Sequence, residues 1–233
     1  MGWLLLFAFV AFGALLAVYN MLAKRRQKVL IEGSLEIFYQ LLTNEEAQIT
    51  AFPDLIPHLK RNADLRHFSE DYGVDPRDPI RANGPIGELV YISRLTNERG
   101  SGFIGHRLGS IRGLDVFEVV STDFNDWLIL WFDMYWSAKD LHAPSDLRLS
   151  KPSEPWPDGG APGLSATNRF VAKFPDEYWP EILISTKEHL GFPIVKPFLK
   201  SLNSRSAARP SKHSRLLQDV VVIFRAQGIG SDS

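Results

Sequence analysis

The chain has 233 residues, of which 45% are hydrophobic and 23% are charged, and its formal net charge is −1 at pH 7. These proportions are those of an ordinary globular protein and predict one folded domain of about 200 residues beside a membrane anchor. Because the sequence contains no cysteine, it excludes disulfides, thiolate catalysis and every zinc or iron–sulfur site that requires thiolate ligands.

The first predicted element is a long apolar segment at the N-terminus. Residues 2–23 carry no charge, and every residue from Trp3 to Tyr19 except Gly13 is apolar. At ~1.5 Å of rise per residue, such a helix spans the ~30 Å hydrocarbon core of a bilayer. A cleaved signal peptide would have basic residues before the apolar run and a small-x-small cleavage site after it, and neither is present. We therefore expect a single-pass signal-anchor.

The flanks of this segment predict its orientation. The rings of Trp3 and Tyr19 lie near its two ends, where amphipathic side chains favour the headgroup layer. Because basic residues are enriched on cytoplasmic flanks, we expect the N-terminus outside and the domain in the cytoplasm, at a bacterial inner membrane or, alternatively, an organellar one. Gly13 and Ala17 form a small-xxx-small pair that suits contact with a second helix, although both residues are common in membrane spans. The basic residues that follow the span are Lys24, Arg25, Arg26 and Lys28.

A juxtamembrane helical region is predicted over residues 24–80. Thr43 and Glu46 have the spacing of a capping box, so we expect a helix that starts there and ends before Pro53. A further helix is predicted from Pro57 to Tyr72. Before these two, apolar residues recur at helical spacing, namely Leu30, Ile31, Leu35, Phe38, Leu41 and Leu42.

An α+β cytoplasmic domain with an antiparallel β-meander is predicted over residues 81–226. Short turns connect its strands, as an antiparallel arrangement requires. Trp127–Tyr135 is apolar almost throughout, which favours a central strand covered on both faces. The runs rich in β-branched and aromatic residues that predict the strands are Glu88–Leu95, Phe103–Ile111, Leu114–Ser121 and Trp127–Trp136.

The second half of the domain is predicted to be more irregular. Residues 150–165 are rich in proline and glycine and form a surface loop. One helix is expected from Pro180 to Gly191, because proline favours the first helical turn and glycine the C-cap. Short strands are expected at Asn168–Phe174 and, as the final element, Leu217–Arg225, before a loose tail over residues 227–233.

A basic, acid-free segment near the C-terminus suggests a second point of membrane contact. Serines and Pro210 within residues 196–215 predict a flexible stretch. Near a cytoplasmic leaflet, each basic residue gains about 1 kcal/mol from anionic lipid. A solvated linker is the plainer interpretation, and nucleic-acid binding is disfavoured because Leu202–Arg215 lacks aromatic residues for base stacking. The candidate lipid contacts are Arg205, Arg209, Lys212 and Arg215.

One glycine motif resembles the dinucleotide-binding fingerprint. Gly100, Gly102 and Gly105 have the spacing G-x-G-x-x-G. That fingerprint requires a helix to open at the third glycine, whereas Phe103–Ile111 is predicted to be a strand. We therefore predict a hairpin turn and neither a cofactor nor a metal, since the histidines show no metal-ligand spacing.

Asp133 is the most unusual residue of the predicted strands. A carboxylate within an apolar strand must be solvated, paired or protonated. His106 and Arg107 on another strand of the meander are candidate partners. A pair of Asp133 with His106 would be an acid/base device, while a structural ion pair or an exposed aspartate is the commoner arrangement.

Two functional hypotheses follow from these features. The first is a membrane-anchored, non-catalytic domain that acts as a docking or accessory subunit of a membrane-associated assembly. Trp156 and Trp179, which lie beside prolines in or near loops, are its candidate contacts with a membrane-protein or cytoplasmic partner, because tryptophan is favoured at binding hot spots. The alternative is a membrane-bound enzyme with a pocket around Asp133 and His106.

Overall fold

The structure, a computed structural model, describes residues 21, 22, 24, 25, 40, 43–60, 67–151, 166–171, 173–175 and 209–226. These residues form an α+β domain with an antiparallel-rich sheet and few helices, as the sequence predicts. Across them, no helix has the length and apolar composition needed to cross a bilayer. The predicted span over residues 2–23 lies outside the described residues except for Met21 and Leu22.

The main sheet has five strands in the order β1-β5-β4-β3-β7. Strands β3, β4 and β5 form the predicted antiparallel meander, and the two-residue strands β1 and β7 pair in parallel with β5 and β3. Strands β2 and β6 form a separate antiparallel pair. The bounds are β1 Ile80–Arg81, β2 Leu95–Asn97, β3 Phe103–Ile111, β4 Leu114–Ser121, β5 Trp127–Asp133, β6 Leu147–Leu149 and β7 Ala166–Thr167.

The helices that can be delimited within the described residues are α1 Glu45–Thr50, the 3₁₀ helix Pro53–His58, α2 Gly84–Arg94 and α3 Ser211–Ala226. Helix α1 ends before Pro53 as predicted. Its N-cap is Asn44 and not Thr43, because the Asn44 side chain accepts hydrogen bonds from the backbone amides of Glu46 at 2.9 Å and Ala47 at 3.2 Å. Asparagine is a stronger N-cap than threonine.

The predicted strand Glu88–Leu95 is wrong, since residues 84–94 form helix α2. Its β-branched and aromatic residues favoured a strand, but Pro85 occupies the first helical turn, where proline is well tolerated. The buried residues Glu88, Tyr91 and Ile92 recur at helical spacing. Burial of most of this helix against the sheet and helix α1 outweighs the local strand propensity.

The predicted final strand Leu217–Arg225 is also wrong, because it lies within helix α3. The run of valine and isoleucine from 220 to 223 suggested a strand. The residues that contact the sheet instead recur with helical period, since His213, Val220 and Phe224 are the buried ones. Helix α3 also includes residues 211–215, the end of the stretch predicted to be flexible.

Two further predictions differ from the structure. Within Pro57–Tyr72, the described residues beyond His58 form no helix, and turns occupy residues 70–73. The predicted strand Asn168–Phe174 is replaced by irregular backbone after the two-residue β7. The described residues do not include most of the 150–165 loop, the helix predicted from Pro180 to Gly191, residues 196–208 or the tail.

The two faces of the sheet bury different clusters. One face contributes Phe103, Phe117 and Leu130 to a core that also contains Tyr91 and Ile92 of helix α2. On the opposite face, an apolar cluster joins strands β3, β4 and β5 to helix α3, and its buried members are Ile111, Val116, Ile129, Trp131, Val220 and Phe224. The close approach depends on Gly109, where an added Cβ would lie 2.7 Å from the Phe224 ring. Helix α3 therefore lies directly on the sheet.

Candidate docking groove

Helix α3 is fixed to the sheet by the buried carboxylate of Glu118 on strand β4. Arg209, just before the helix, donates to this carboxylate through Nε at 2.6 Å and through Nη2 at 2.8 Å. Nε2 of His213, in the first turn of α3, lies 3.0 Å from Oε1. Nε2 of His106 on the paired strand β3 lies 2.8 Å from Oε2. Both carboxylate oxygens are thereby engaged, and three chain segments meet at one charge.

The hydrogen bonds of His106 determine its tautomer. The backbone N–H of Val171 donates to His106 Nδ1 at 3.0 Å. Nδ1 is therefore the acceptor, and the ring proton lies on Nε2, which donates to Glu118. Burial lowers the pKa of His106, despite the neighbouring carboxylate. The ring stacks on Phe174 with centroids 4.2 Å apart, so His106 is a neutral, packed side chain.

The Glu118 carboxylate is ionised although it is buried. Burial alone would raise its pKa, but the hydrogen bonds from His106, His213 and Arg209 outweigh burial and hold the pKa well below its usual range. A buried charge of this kind is stable only when its partners are in place. The cluster therefore positions α3 over the meander, and its saturated hydrogen bonds favour a structural role.

A groove of about 650 Å³ lies beside α3. Its floor is the face of strand β5 that carries Trp127, Ile129 and Trp131. One wall is the flank of α3 with Leu216 and Ile223, which are 49% and 40% exposed. Val74 and Pro76 line the opposite side. These positions make the groove predominantly apolar and accessible from solvent.

The floor of the groove also carries a strand edge that is only partly paired and little exposed, since Ile129 and Trp131 are 7% and 6% exposed. Strand β1 pairs with β5 only at Phe132 and Asp133. The Trp131 N–H donates to the Gly73 carbonyl at 2.9 Å, which directs it away from β4. Since backbone groups alternate in direction along an antiparallel strand, the N–H and C=O of Ile129 also point away from β4. Within the described residues, no backbone group pairs with them.

Polar groups at the end of the groove near Pro210 are incompletely paired. The indole N–H of Trp127 and Nδ1 of His213 are buried and have no hydrogen-bond partner among the described residues. Lys212 and Asp126 lie at the same end, and Asp219 lies further along α3. The groove thus combines an apolar floor with charged residues of both signs in its lining.

The structure places the two predicted acid/base candidates apart. Asp133 lies at the end of β5 and accepts a hydrogen bond from Lys60 Nζ at 2.8 Å. His106 faces Glu118, and no bond joins it to Asp133 among the described residues. Arg107 pairs with Asp115 instead. Asp133 is therefore part of a partly exposed ion pair, the commoner arrangement for a strand-end aspartate.

The other predicted contact residues have mixed outcomes. Arg209, a candidate lipid contact, is bound to Glu118. Lys212 and Arg215 are exposed on α3, and Lys24 and Arg25 are exposed and helical. The remaining candidates lie outside the described residues, namely Trp3, Gly13, Ala17, Tyr19, Arg26, Lys28, Trp156, Trp179 and Arg205.

Glu118, which positions α3 beside the groove, is the residue of this site that the sequence did not predict. It interrupts the apolar run Leu114–Ser121 just as Asp133 interrupts its own strand, so the same signal applied to both. Among the described residues, no group of three or more acidic or histidine side chains is arranged to hold a metal ion. Comparison of the chain with protein-family models, with curated proteins and with solved structures finds no match.

Proposed function

We propose that this chain is a single-pass membrane-anchored, non-catalytic docking subunit whose cytoplasmic domain binds a partner protein of a membrane-associated assembly. The occupant of the groove is an extended segment of that partner, which adds a strand along the edge of β5. The observation that carries this proposal is the coincidence of a partly paired strand edge with an exposed apolar groove.

The chemistry of the groove favours an extended polypeptide over other ligands. Main-chain hydrogen bonds to the N–H and C=O of Ile129 would supply affinity, and side chains that alternate along the added strand would contact Trp127 and Trp131. Charges of both signs line the rim, with Lys212 opposed by Asp126 and Asp219. Nucleic acid would require a basic surface.

The membrane tether is the second part of the proposal. It is supported by the uncharged residues 2–23 and the basic residues that follow them. An anchor at the N-terminal end of the chain and a groove in the domain suit a subunit that holds a partner near the cytoplasmic leaflet. The alternative enzyme with Asp133 and His106 in one pocket has less support, because the two side chains have separate partners.

Two neighbouring residues of α3 provide a matched test. Ile223 lines the groove, whereas Val222 is 61% exposed and does not line it. We expect Ile223→Asp to abolish co-purification of a stoichiometric partner after mild detergent extraction of the full-length chain. Val222→Asp should leave co-purification unchanged, because it places the same charge outside the groove.

Equal loss in both variants, or retention in both, would contradict docking in the groove. Circular dichroism of each purified variant checks that the fold is intact. Both positions are exposed, so neither aspartate buries a charge within the core.

A further inference from the structure

A second polar network lies away from the docking groove, around the buried side chain of Lys139. Its Nζ donates to Gln48 Oε1 at 2.9 Å and to Glu45 Oε1 at 3.1 Å, both in helix α1. Gln48 Oε1 also accepts from Asn83 Nδ2 at 2.8 Å. Only 4% of the Lys139 side chain is exposed. The ammonium is therefore held in one position by two acceptors.

This buried lysine borders a solvent-connected pocket of about 740 Å³. Arg94, at the C-terminal end of α2, lies in the same pocket wall. Its Nε donates to the carbonyl of Ser150 at 2.8 Å, which fixes the guanidinium. No bond from its two terminal nitrogens to a described residue is present. The pocket thus presents an amine, a guanidinium and the carboxylate of Glu45.

The electrostatic surroundings make the Lys139 amine more nucleophilic than an exposed lysine. Burial lowers its pKa, Arg94 lowers it further, and Glu45 only partly opposes the change. The lysines that form Schiff bases in enzymes are activated by the same two effects, burial and a second cation nearby. A larger fraction of the amine is consequently neutral near pH 7.

We propose that Lys139 is a reactive amine that reversibly forms an imine with a small carbonyl compound bearing a carboxylate, such as a 2-oxo acid. Arg94 binds the carboxylate, since a guanidinium fork matches its geometry. Because Arg94 and Lys139 line the same pocket, the carbonyl next to that carboxylate is held in the pocket that Lys139 borders. This site shares no residue with the groove and does not depend on the docking function.

The chemistry balances without an oxidant or a second reactant. Glu45 takes a proton from the Lys139 ammonium, and the freed Nζ lone pair attacks the carbonyl carbon to form a C–N bond. Proton transfer from nitrogen to the former carbonyl oxygen gives a carbinolamine. Glu45 returns its proton to the departing hydroxyl, water leaves, and the protonated imine remains.

Reductive trapping on the full-length chain tests the proposal. We expect glyoxylate with cyanoborohydride at pH 7 to label Lys139 faster than the exposed Lys212, since Arg94 holds the carboxylate and a lowered pKa enlarges the neutral fraction of the Lys139 amine. Peptide mass spectrometry measures both rates in one sample. Labelling of Lys139 no faster than that of Lys212 would overturn the proposal and would leave Lys139 as a structural link to α1.

Two variants separate the parts of the site. Lys139→Arg keeps a cation for Glu45 and Gln48 but cannot form an imine, so labelling of that peptide should vanish while other lysines react as before. Arg94→Gln should remove the preference for glyoxylate over acetaldehyde, which lacks a carboxylate. If the preference persists in a variant with an unchanged circular dichroism spectrum, the assignment of Arg94 is wrong.

Discussion

Glu118 shows how one buried carboxylate can organise a face of this sheet. Its oxygens lie within 3.0 Å of donors from Arg209 and His213, at the start of α3, and from His106 on β3. This charge and the apolar contacts of Val220 and Phe224 together attach α3 to the sheet and so shape the groove. Glu118 is therefore expected to affect the proposed docking through the position of α3.

We predict that Glu118→Gln destabilises the fold by about 3–5 kcal/mol, because it removes the buried charge to which the partly exposed Arg209 and two buried histidines are bonded. Urea unfolding of the detergent-solubilised chain, followed by tryptophan fluorescence, measures the effect. The exposed Glu98 supplies the control, and Glu98→Gln should change stability by less than about 0.5 kcal/mol. A loss below about 1 kcal/mol for Glu118→Gln would show that the cluster does not hold α3.

His106 makes the stability depend on pH in a defined direction. Burial lowers its pKa in the folded state, so between that pKa and about 6.5 the unfolded chain binds a proton that the folded chain does not. The stability that this pKa difference contributes is fully present above pH 6.5. It is lost as the pH falls below 6.5, by at most about 1.4 kcal/mol per pH unit. We expect His106→Gln to make the urea midpoint less dependent on pH between pH 7.5 and 5.5. An unchanged pH dependence of the midpoint would assign the effect to another group.

Single residues in the sequence predict only part of the observed ion pairs. Asp133 was identified as a carboxylate that requires a partner, and Lys60 provides one. The choice of His106 as that partner failed because strand register was unknown. In the observed register, His106 lies opposite Glu118, and Glu118 lies opposite Ile129. Asp133 therefore lies further along β5 than the residue level with His106. No local pattern specifies such a distance.

At the scale of elements, the predictions succeeded where turns bounded the strands. The predicted bounds of β3 and β4 match the structure. A tight turn of Arg112 and Gly113, both with positive φ, separates the end of β3 from the start of β4. Helices α2 and α3 were assigned to strands because valine, isoleucine and tyrosine favour strands locally. Their helical form depends on burial against the two faces of the sheet, which no local propensity reports.

The position of β5 in the sheet agrees with its sequence in one respect and differs in another. Its apolar composition predicts a central strand covered on both faces, and the structure confirms the burial, because Leu130 and Phe132 lie in the core on one face while Ile129 and Trp131 lie in the cluster under α3 on the other. Its pairing is less complete than a central strand suggests, since its neighbour β1 pairs with only its last two residues. Composition alone does not predict how much of a strand edge is paired.

The partly paired edge of β5 predicts a distinct pattern of amide exchange. The backbone groups of Leu130 point toward Phe117 on β4, whereas the Ile129 N–H points away from β4. We expect the Ile129 amide to exchange with solvent deuterium faster than the amides of Leu128 and Leu130, as resolved by NMR. Comparable protection at all three positions would mean that the edge is already paired.

At the scale of the whole molecule, the predicted membrane tether and the proposed docking groove serve the same function. The uncharged residues 2–23 are expected to anchor the chain, and the proposed docking surface is the groove between α3 and β5. Attachment to a bilayer raises the local concentration of any membrane partner, so a modest groove suffices for stable association. The pocket of Lys139 lies on separate elements and is expected to function independently.

The central claim is that a partner segment lies in this groove, and site-specific cross-linking in intact membranes tests it most directly. Because the chain contains no cysteine, a photoactivatable reagent on Ile223→Cys or Val222→Cys reports from a single position. We predict an adduct with one other protein from position 223, mapped by mass spectrometry to an extended segment, and none from position 222. Equal adducts from both positions, or adducts from position 223 only with lipid or with this chain itself, would contradict the account.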